Sequence, residues 1–275
     1  MSSQSNPDRD ELYVGYLTGT PPGIRRFLRR LVPLLALPAV ALAVTLPALH
    51  RPFEPGRFEF GQPRDLSGWI EEHPYPSLLI AGDGDELPAR LLLVGAGKHG
   101  ARREVAGLED RKASINGTLI ERPPHRMIEL AATPDAEETR ASSTGTPSSG
   151  TYSTRPPPPA VAALRTTAEL GEITIRGEIV DSKCFLGVMK PGRGKPHRSC
   201  AARCISGGIP PAVFVSDRAG NERLLLLVDA DGDPLSEKVL PYVGEPIEIS
   251  GQLQRRGETL YLLAAPDSYR RMRGR

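Results

Sequence analysis

The most hydrophobic part of the chain is an uncharged run of nineteen residues near its start, Leu31–Leu49, which reads LVPLLALPAVALAVTLPAL. A helix that spans a bilayer needs about 20 such residues. Arginines occupy positions 25, 26, 29 and 30 just before the run, while only His50 and Arg51 follow it. Because positive charge is retained on the cytoplasmic side, the pattern predicts a single-pass protein of the bacterial inner membrane, with a cytoplasmic N-terminus and a periplasmic C-terminal bulk.

The same run can also be interpreted as the core of a cleaved signal peptide. Ala41-Leu42-Ala43 resembles the small-x-small pattern at which signal peptides are cut. The leader of roughly 30 residues before the run is long for a signal peptide, and this favours an uncleaved anchor.

The rest of the chain has the short alternating runs of β-strands, and it repeats itself. The matching pairs are Gly68 with Gly177, Arg90–Val94 with Arg223–Val228, and Asn116-Gly117-Thr118-Leu119 with Ser250-Gly251-Gln252-Leu253. From Gly68 to Arg90 is 22 residues, whereas from Gly177 to Arg223 is 46, so the second copy has about 24 extra residues early in the repeat. From Arg90 to Gly117 is 27 residues, and the equivalent spacing in the second copy is 28.

Each copy is predicted to contain five short strands, with a short helix between the third and the fourth. In the second copy, Glu245–Gln254 alternates apolar and polar residues, and a turn at 255–258 leads into Leu260–Leu263. Leu235–Tyr242 is the candidate helix. This order is that of an OB-type barrel. The predicted fold is therefore mainly β: one N-terminal transmembrane helix and then two small OB-like five-stranded barrels, the second with an insertion between its first two strands.

Composition separates these parts. The segment Thr133–Arg165 is rich in Ser, Thr, Gly and Pro, which is typical of a flexible linker. The predicted organisation is a cytoplasmic tail at 1–30, a transmembrane anchor at 31–49, a first OB-like module at 53–132, a flexible Ser/Thr/Pro-rich linker at 133–168, a second OB-like module with the insertion at 169–266, and a basic tail at 267–275. The net charge of +2 is nearly balanced, which argues against a nucleic-acid-binding protein.

All three cysteines fall in the extra residues of the second copy, DSKCFLGVMKPGRGKPHRSCAARCISGGIPP, Asp181 to Pro211. Cys200 and Cys204 would share one face of a helix, and His197 lies three residues before Cys200. Together with Cys184 they form a Cys3His set, which fits tetrahedral zinc. Soft ligands also suit copper(I), for which Met189 is an additional candidate ligand.

A disulfide is the alternative interpretation of the same residues. The exported side of a bacterial membrane is oxidising. Cys184 could pair with Cys200 or with Cys204, which would fix the insertion to the barrel and leave one thiol free. The residues alone leave three interpretations open: a metal site, a disulfide, and three unpaired thiols.

Other candidate sites are weaker. In the first copy, Lys98-His99-Gly100 and His73-Pro74-Tyr75-Pro76 either line a pocket or form turns. The chain contains no nucleophile elbow, phosphate-binding loop or HExxH motif, so the sequence favours a protein without enzymatic activity of its own.

The pattern D-x-x-C-x-x-G … H-x-x-C-A-x-x-C-x-x-G-G-x-P-P, which begins at Asp181, resembles a segment of uncharacterised bacterial membrane-anchored exported proteins with OB-like modules. The similarity extends from Gly177 to about Ala264. It implies location and architecture, and it supplies no activity.

These features predict a membrane-anchored periplasmic accessory protein whose Cys/His insertion binds a metal ion, zinc or copper, or performs thiol redox chemistry. It would act as a subunit or helper of a membrane redox or metal-handling system, with another inner-membrane or periplasmic protein as its partner. The alternative is a non-catalytic interaction module in which the cysteines form a structural disulfide.

Overall fold

The computed structural model describes residues 20–49, 56–82, 87–131, 152–153, 156–217, 219–235 and 237–272, without the side chains of 152–153. The first helix, α1, spans Pro22–Leu49 and belongs to a unit separate from the residues that follow. It is 28 residues long, its side chains are exposed, and it is apolar enough to cross a membrane or to serve as a signal sequence. It begins nine residues before the predicted anchor, so the four arginines lie within the helix. Residues 1–19 of the predicted cytoplasmic tail lie outside the described residues.

The two predicted barrels are both present. The first is closed by β2 to β6 and the second by β8 to β12, with short additional strands β1, β7 and β13 at their edges. The strands are β1 (Arg57–Phe58), β2 (Arg64–Glu71), β3 (Ser77–Ile80), β4 (Ala89–Val94), β5 (Lys112–Arg122), β6 (His125–Leu130), β7 (Tyr152–Ser153), β8 (Thr167–Asp181), β9 (Pro211–Ser216), β10 (Glu222–Val228), β11 (Pro246–Arg256), β12 (Thr259–Leu263) and β13 (Arg270–Arg271).

Both barrels have the same strand connections. In each, the first strand pairs with the second and the fourth, the second pairs with the third, and the third pairs in parallel with the fifth, which returns antiparallel to the fourth. This closed order is the OB topology that the sequence predicts. A 3-10 helix, Glu237–Tyr242, links the third and fourth strands of the second barrel, whereas the corresponding residues 95–111 of the first barrel fold as turns.

The strand registers confirm the glycine matches of the repeat. Four residues before Gly68, Arg64 pairs with Gly117, and four residues before Gly177, Ile173 pairs with Gly251. The match of Arg90 with Arg223 is wrong by one residue. Leu91 pairs with Arg126 and Leu225 pairs with Leu260 at equivalent positions, so Arg90 corresponds to Leu224. With this shift, the third-strand residue and the matching glycine, Gly117 or Gly251, are separated by the same number of residues in both copies.

The continuous apolar runs of β4 and β10 have both faces buried. Inside the first barrel, Leu91 and Leu93 pack with Ile70, Leu78 and Ile128. On the opposite face, Leu92 and Val94 belong to a hydrophobic cluster that also contains Leu224, Leu226 and Val228 of the second barrel. A strand buried on both faces has no polar side to alternate with, which is why the sequence reads LLLV and LLLLV.

The short loop Glu72–Pro76 of the first barrel reaches the second barrel. The Tyr75 hydroxyl donates to the carbonyl of Leu227 and accepts the amide of Leu235 at 3.2 Å. His73 Nε2 lies 2.8 Å from Asp233 Oδ1 at the exposed edge of the same contact. The HPYP motif therefore docks the two barrels together, and burial raises the pKa of the Tyr75 hydroxyl.

The ends of the second barrel are more ordered than the composition predicts. Within the predicted linker, α2 spans Pro159–Ala163, Val161 and Leu164 are buried, and β8 begins at Thr167. Most of the remaining linker residues lie outside the described residues. In the predicted basic tail, Tyr269 is buried and Arg270–Arg271 pairs with β11, while residues 273–275 lie outside the described part of the chain.

Candidate metal centre in the second barrel

The insertion lies where the sequence places it, between the first two strands of the second barrel. Residues 182–210, 29 in all, connect β8 to β9, whereas five residues, 72–76, connect β2 to β3 in the first barrel. The insertion contains a π-helical turn, Cys184–Val188, a 3-10 turn, Lys195–His197, and the helix α3, Arg198–Ser206. The difference of 24 residues equals the predicted length of the extra segment.

The helix α3 brings two of the cysteines and the histidine to one place. Cys200 and Cys204 are one turn apart on α3, and His197 is the residue that precedes its first turn. The helix ends at Ser206 and is capped by Gly207, and Gly208 adopts φ +96°, a left-handed conformation that glycine adopts without strain. Cys184 is not part of the first strand of the second barrel. It lies three residues beyond the strand end at Asp181, in the π-helical turn.

Asp181 connects the strand end to both sides of the cluster. Its Oδ1 accepts the backbone amide of Cys184 at 2.8 Å, and its Oδ2 lies 2.9 Å from His197 Nε2. Asp181 is fully buried and His197 is 4% exposed. A carboxylate that binds one ring nitrogen of a histidine in this way orients the imidazole and leaves the other nitrogen, Nδ1, as the candidate metal ligand.

The three cysteines are close together and none is in a disulfide. The ligand atoms of Cys184, His197 and Cys200 all lie within 4.8 Å of one another, as do those of Asp181, Cys184 and Cys204. The two overlapping groups share Cys184. Either group of three ligand atoms could hold a metal ion.

Hydrogen bonding between the thiols shifts the pKa of Cys184 and the pKa of Cys204 in opposite directions. The Cys184 thiol donates to the sulfur of Cys204, which raises the pKa of Cys184, with burial and the Asp181 charge acting in the same direction. Accepting that bond lowers the pKa of Cys204, against the opposing effect of burial, and the Lys98 ammonium and the Cys200 thiol act with it. Of this pair, Cys204 therefore becomes the thiolate first.

A loop of the first barrel covers one side of the cluster. Lys98 Nζ donates to Cys200 Sγ at 3.3 Å, and this contact raises the pKa of Lys98. In the opposite direction, Lys183 of the insertion donates to the carbonyls of Gly95 and Gly97 at 2.9 and 2.6 Å. The buried Lys183 ammonium is neutralised by Glu129 Oε2 of the first barrel at 3.2 Å.

The structure brings together four of the five predicted ligands: Cys184, His197, Cys200 and Cys204. Met189 is the fifth. The side chain of Met189 is largely exposed, and its backbone amide donates to the Cys184 carbonyl at 3.3 Å. Of the two motifs in the first copy, Lys98-His99-Gly100 borders the cluster, with Lys98 as the contacting side chain and His99 exposed.

Sequence reasoning missed Asp181 and Lys183 as parts of the site. A signal for Asp181 was available, because an acidic residue three positions before a candidate cysteine ligand can reach the amide of that cysteine and a neighbouring imidazole. Lys98 could not be linked to Cys200 from the sequence, since 102 residues separate them.

No family model matches this chain, and no curated protein matches it.

Proposed function

We propose that this protein is a membrane-anchored, exported metal-binding protein, whose centre consists of Cys184, His197, Cys200 and Cys204. The observation that carries the proposal is the buried Asp181–His197 pair, whose imidazole lies beside the thiols of Cys184 and Cys200. A carboxylate that holds the second nitrogen of a histidine is the usual support of a metal-bound imidazole. Without a metal ion, burial of a histidine, an aspartate and three cysteines in a protein core costs free energy.

Zinc is the first candidate ion, because three thiolates and an imidazole make a complete tetrahedral set. Copper(I) is the second, because the group Cys184, His197 and Cys200 by itself offers two soft sulfurs and a nitrogen. The residues would bind the ion, orient it and exclude water from it. A closed set of four protein ligands leaves no position for a substrate, which supports a structural, storage or delivery role over catalysis.

The test is metal analysis of the full chain, purified in detergent under anaerobic conditions. We expect one zinc or copper ion per chain, and three titratable thiols after the metal is removed. His197→Gln should abolish binding, while His99→Gln, which changes an exposed histidine near the cluster, should leave it intact. A wild-type chain that binds neither ion would refute the proposal.

Thiol chemistry is the second candidate, favoured by the hydrogen bond between Cys184 and Cys204 and the lowered pKa of Cys204. In that function, opening of the structure exposes Cys204, whose thiolate attacks the disulfide of a partner protein. One partner sulfur leaves as a thiolate, and the Cys184 sulfur then displaces the second. Cys184 and Cys204 lose two electrons and two protons, and the partner gains two thiols. A chain that contains no metal and has one titratable thiol when isolated in air would favour this function.

The membrane location is part of the same proposal. The length and hydropathy of Pro22–Leu49 support an anchor, and the four arginines at its start support a cytoplasmic N-terminus with the barrels on the exported side. The mass of the purified protein distinguishes this from a signal peptide. An intact N-terminus supports the anchor, whereas cleavage after Ala43 would support a released protein.

An accessory role follows from a site that offers ligands and thiols and from a sequence without a hydrolytic motif. The chain would serve a membrane redox or metal-handling system as a subunit or helper. Its deletion should lower the metal content or activity of that system, and the wild-type chain should restore it, whereas a Cys184→Ser chain should not. Equal restoration by both chains would contradict the role of the centre.

A further inference from the structure

Cys200 is the most accessible member of the cluster. Cys184 and Cys204 are 4% and 2% exposed, and His197 is buried, whereas Cys200 is half-buried. A ligand that exchanges with solvent or with an incoming chelator must therefore do so at Cys200. The rate at which the centre takes up or loses an ion depends on how firmly this one sulfur is held.

The group that holds Cys200 comes from the other barrel. The Lys98 ammonium donates to its sulfur at 3.3 Å, and the rest of the Lys98 side chain is exposed. A centre with three thiolates, a neutral imidazole and a divalent ion carries surplus negative charge, and with a monovalent ion it carries more. An ammonium bonded to a thiolate at the rim stabilises that charge.

The loop that carries Lys98 is fixed at several points. Lys183 binds the carbonyls of Gly95 and Gly97, and the amide of Gly100 donates to the Gly207 carbonyl at 2.9 Å. A Cβ at Gly207 would lie 1.8 Å from the Lys98 carbonyl oxygen, so the backbones of the loop and of the end of α3 are in direct contact. Lys98 is therefore held at the cluster by backbone packing and by a buried lysine, not by its own flexible side chain.

Resting on the metal-binding function proposed above, we propose that Lys98 is a positioning residue of the metal centre: the first barrel supplies the charge that holds Cys200 as a ligand and thereby sets the rate of metal exchange. The two barrels thus divide one site between them. The second supplies every ligand, and the first supplies the residue that controls access to the outermost ligand.

The test measures metal release from the zinc-loaded full chain into an excess of a chromophoric chelator. Lys98→Met keeps the length of the side chain and removes its charge, and we expect release about threefold to tenfold faster, a modest factor because the contact faces solvent. Lys98→Arg retains a charged donor and should restore a rate near that of the wild type. Lys190→Met, which removes an exposed lysine from the same insertion, is the matched control and should release zinc at the wild-type rate.

Two further readouts separate positioning from a structural role. The unfolding midpoint of the metal-free chain should be the same for Lys98→Met and the wild type, because the side chain is exposed. With cobalt(II) in place of zinc, the visible spectrum of Lys98→Met should change, because it reports the sulfur ligands directly. Wild-type release rates together with an unchanged cobalt spectrum in Lys98→Met would overturn this inference while leaving the metal site itself in place.

A wild-type chain that binds no ion would instead overturn the proposed function, and this inference would fall with it. Lys183→Met provides a second test, because it removes the hydrogen bonds that hold the loop at Gly95 and Gly97 without altering Lys98. It should reproduce the faster release of Lys98→Met, and wild-type release from a folded Lys183→Met chain would contradict the role of the loop.

Discussion

His197 Nε2 and Asp181 Oδ2 are 2.9 Å apart in a buried contact between the end of a strand and the start of a helix. Asp181→Asn keeps the shape of this side chain and removes its charge. We expect metal affinity to fall by about 10- to 100-fold, which is typical for the loss of such a supporting carboxylate. The measurement is a competition titration against a chelator of known affinity.

The chain offers a matched control in its second histidine–aspartate pair. His73 and Asp233 are 2.8 Å apart, but both side chains are exposed and lie at the contact between the barrels. Asp233→Asn should leave metal affinity unchanged. Equal effects of the two substitutions would show that Asp181 supports the fold rather than the metal.

The three thiols should differ in their reaction with an alkylating reagent. In the metal-free native chain we expect Cys200 to react first, because it is the most exposed, and Cys184 and Cys204 to react only when the structure opens. Mass spectrometry of peptides after timed labelling gives the order in which the three thiols react. Labelling in denaturant, where all three are accessible, gives the reference rates. Rapid labelling of Cys184 would contradict the burial on which the site depends.

Backbone contact between the barrels predicts a steric effect at Gly100. A Cβ there would lie 2.2 Å from the Gly208 carbonyl oxygen, so Gly100→Ala should lower the free energy of unfolding by about 1–3 kcal/mol. Gly107→Ala is the comparison, since its Cβ would enter open space at φ +79° and should cost about 1 kcal/mol through backbone strain alone. Chemical denaturation measures both. A smaller loss at Gly100 than at Gly107 would count against a close contact of the barrels.

Acid should destabilise the chain through His125. Burial, with the charges of Arg122 and Arg223, lowers the pKa of His125 to about 4 from its ordinary 6.5. Between these values the unfolded chain binds a proton that the folded chain does not, so stability is present at neutral pH and is lost as the pH falls from 6.5 toward 4. The loss is at most about 3 kcal/mol. Denaturation curves for the wild type and His125→Gln across this range should diverge, and parallel curves would refute the assignment.

The sequence predicted the fold well because the repeat constrains it. Because the two copies have the same glycine spacing, each supports the strand order predicted for the other. The strand registers at Gly117 and Gly251 agree. The error at Arg90 has a physical cause. A strand buried on both faces has no alternation, so only the partner strand reveals its register.

The sequence predicted the cysteines and the histidine that the structure brings together, and it missed the residues that contact them. Cysteine and histidine stand out in a sequence with few of either, whereas Asp181, Lys183 and Lys98 belong to common types that usually face solvent. Lys98 contacts the cluster only because the barrels pack together, and no local pattern encodes that packing. Metal and disulfide could not be separated from spacing, because both chemistries need the same sulfurs close together.

The connections between the first two strands have a consequence for the origin of the molecule. In the first barrel this connection carries Tyr75 to the third strand of the second barrel, and in the second barrel it carries Lys183 to the residues just after the third strand of the first. Each barrel therefore contacts the other through the connection between its first two strands, near the third strand of the other barrel. Such reciprocal contacts are the isologous geometry of a twofold homodimer. The chain therefore has, within one polypeptide, the pseudo-twofold arrangement of a homodimer, in which one half carries the Cys/His cluster and the other half supplies Lys98 beside it.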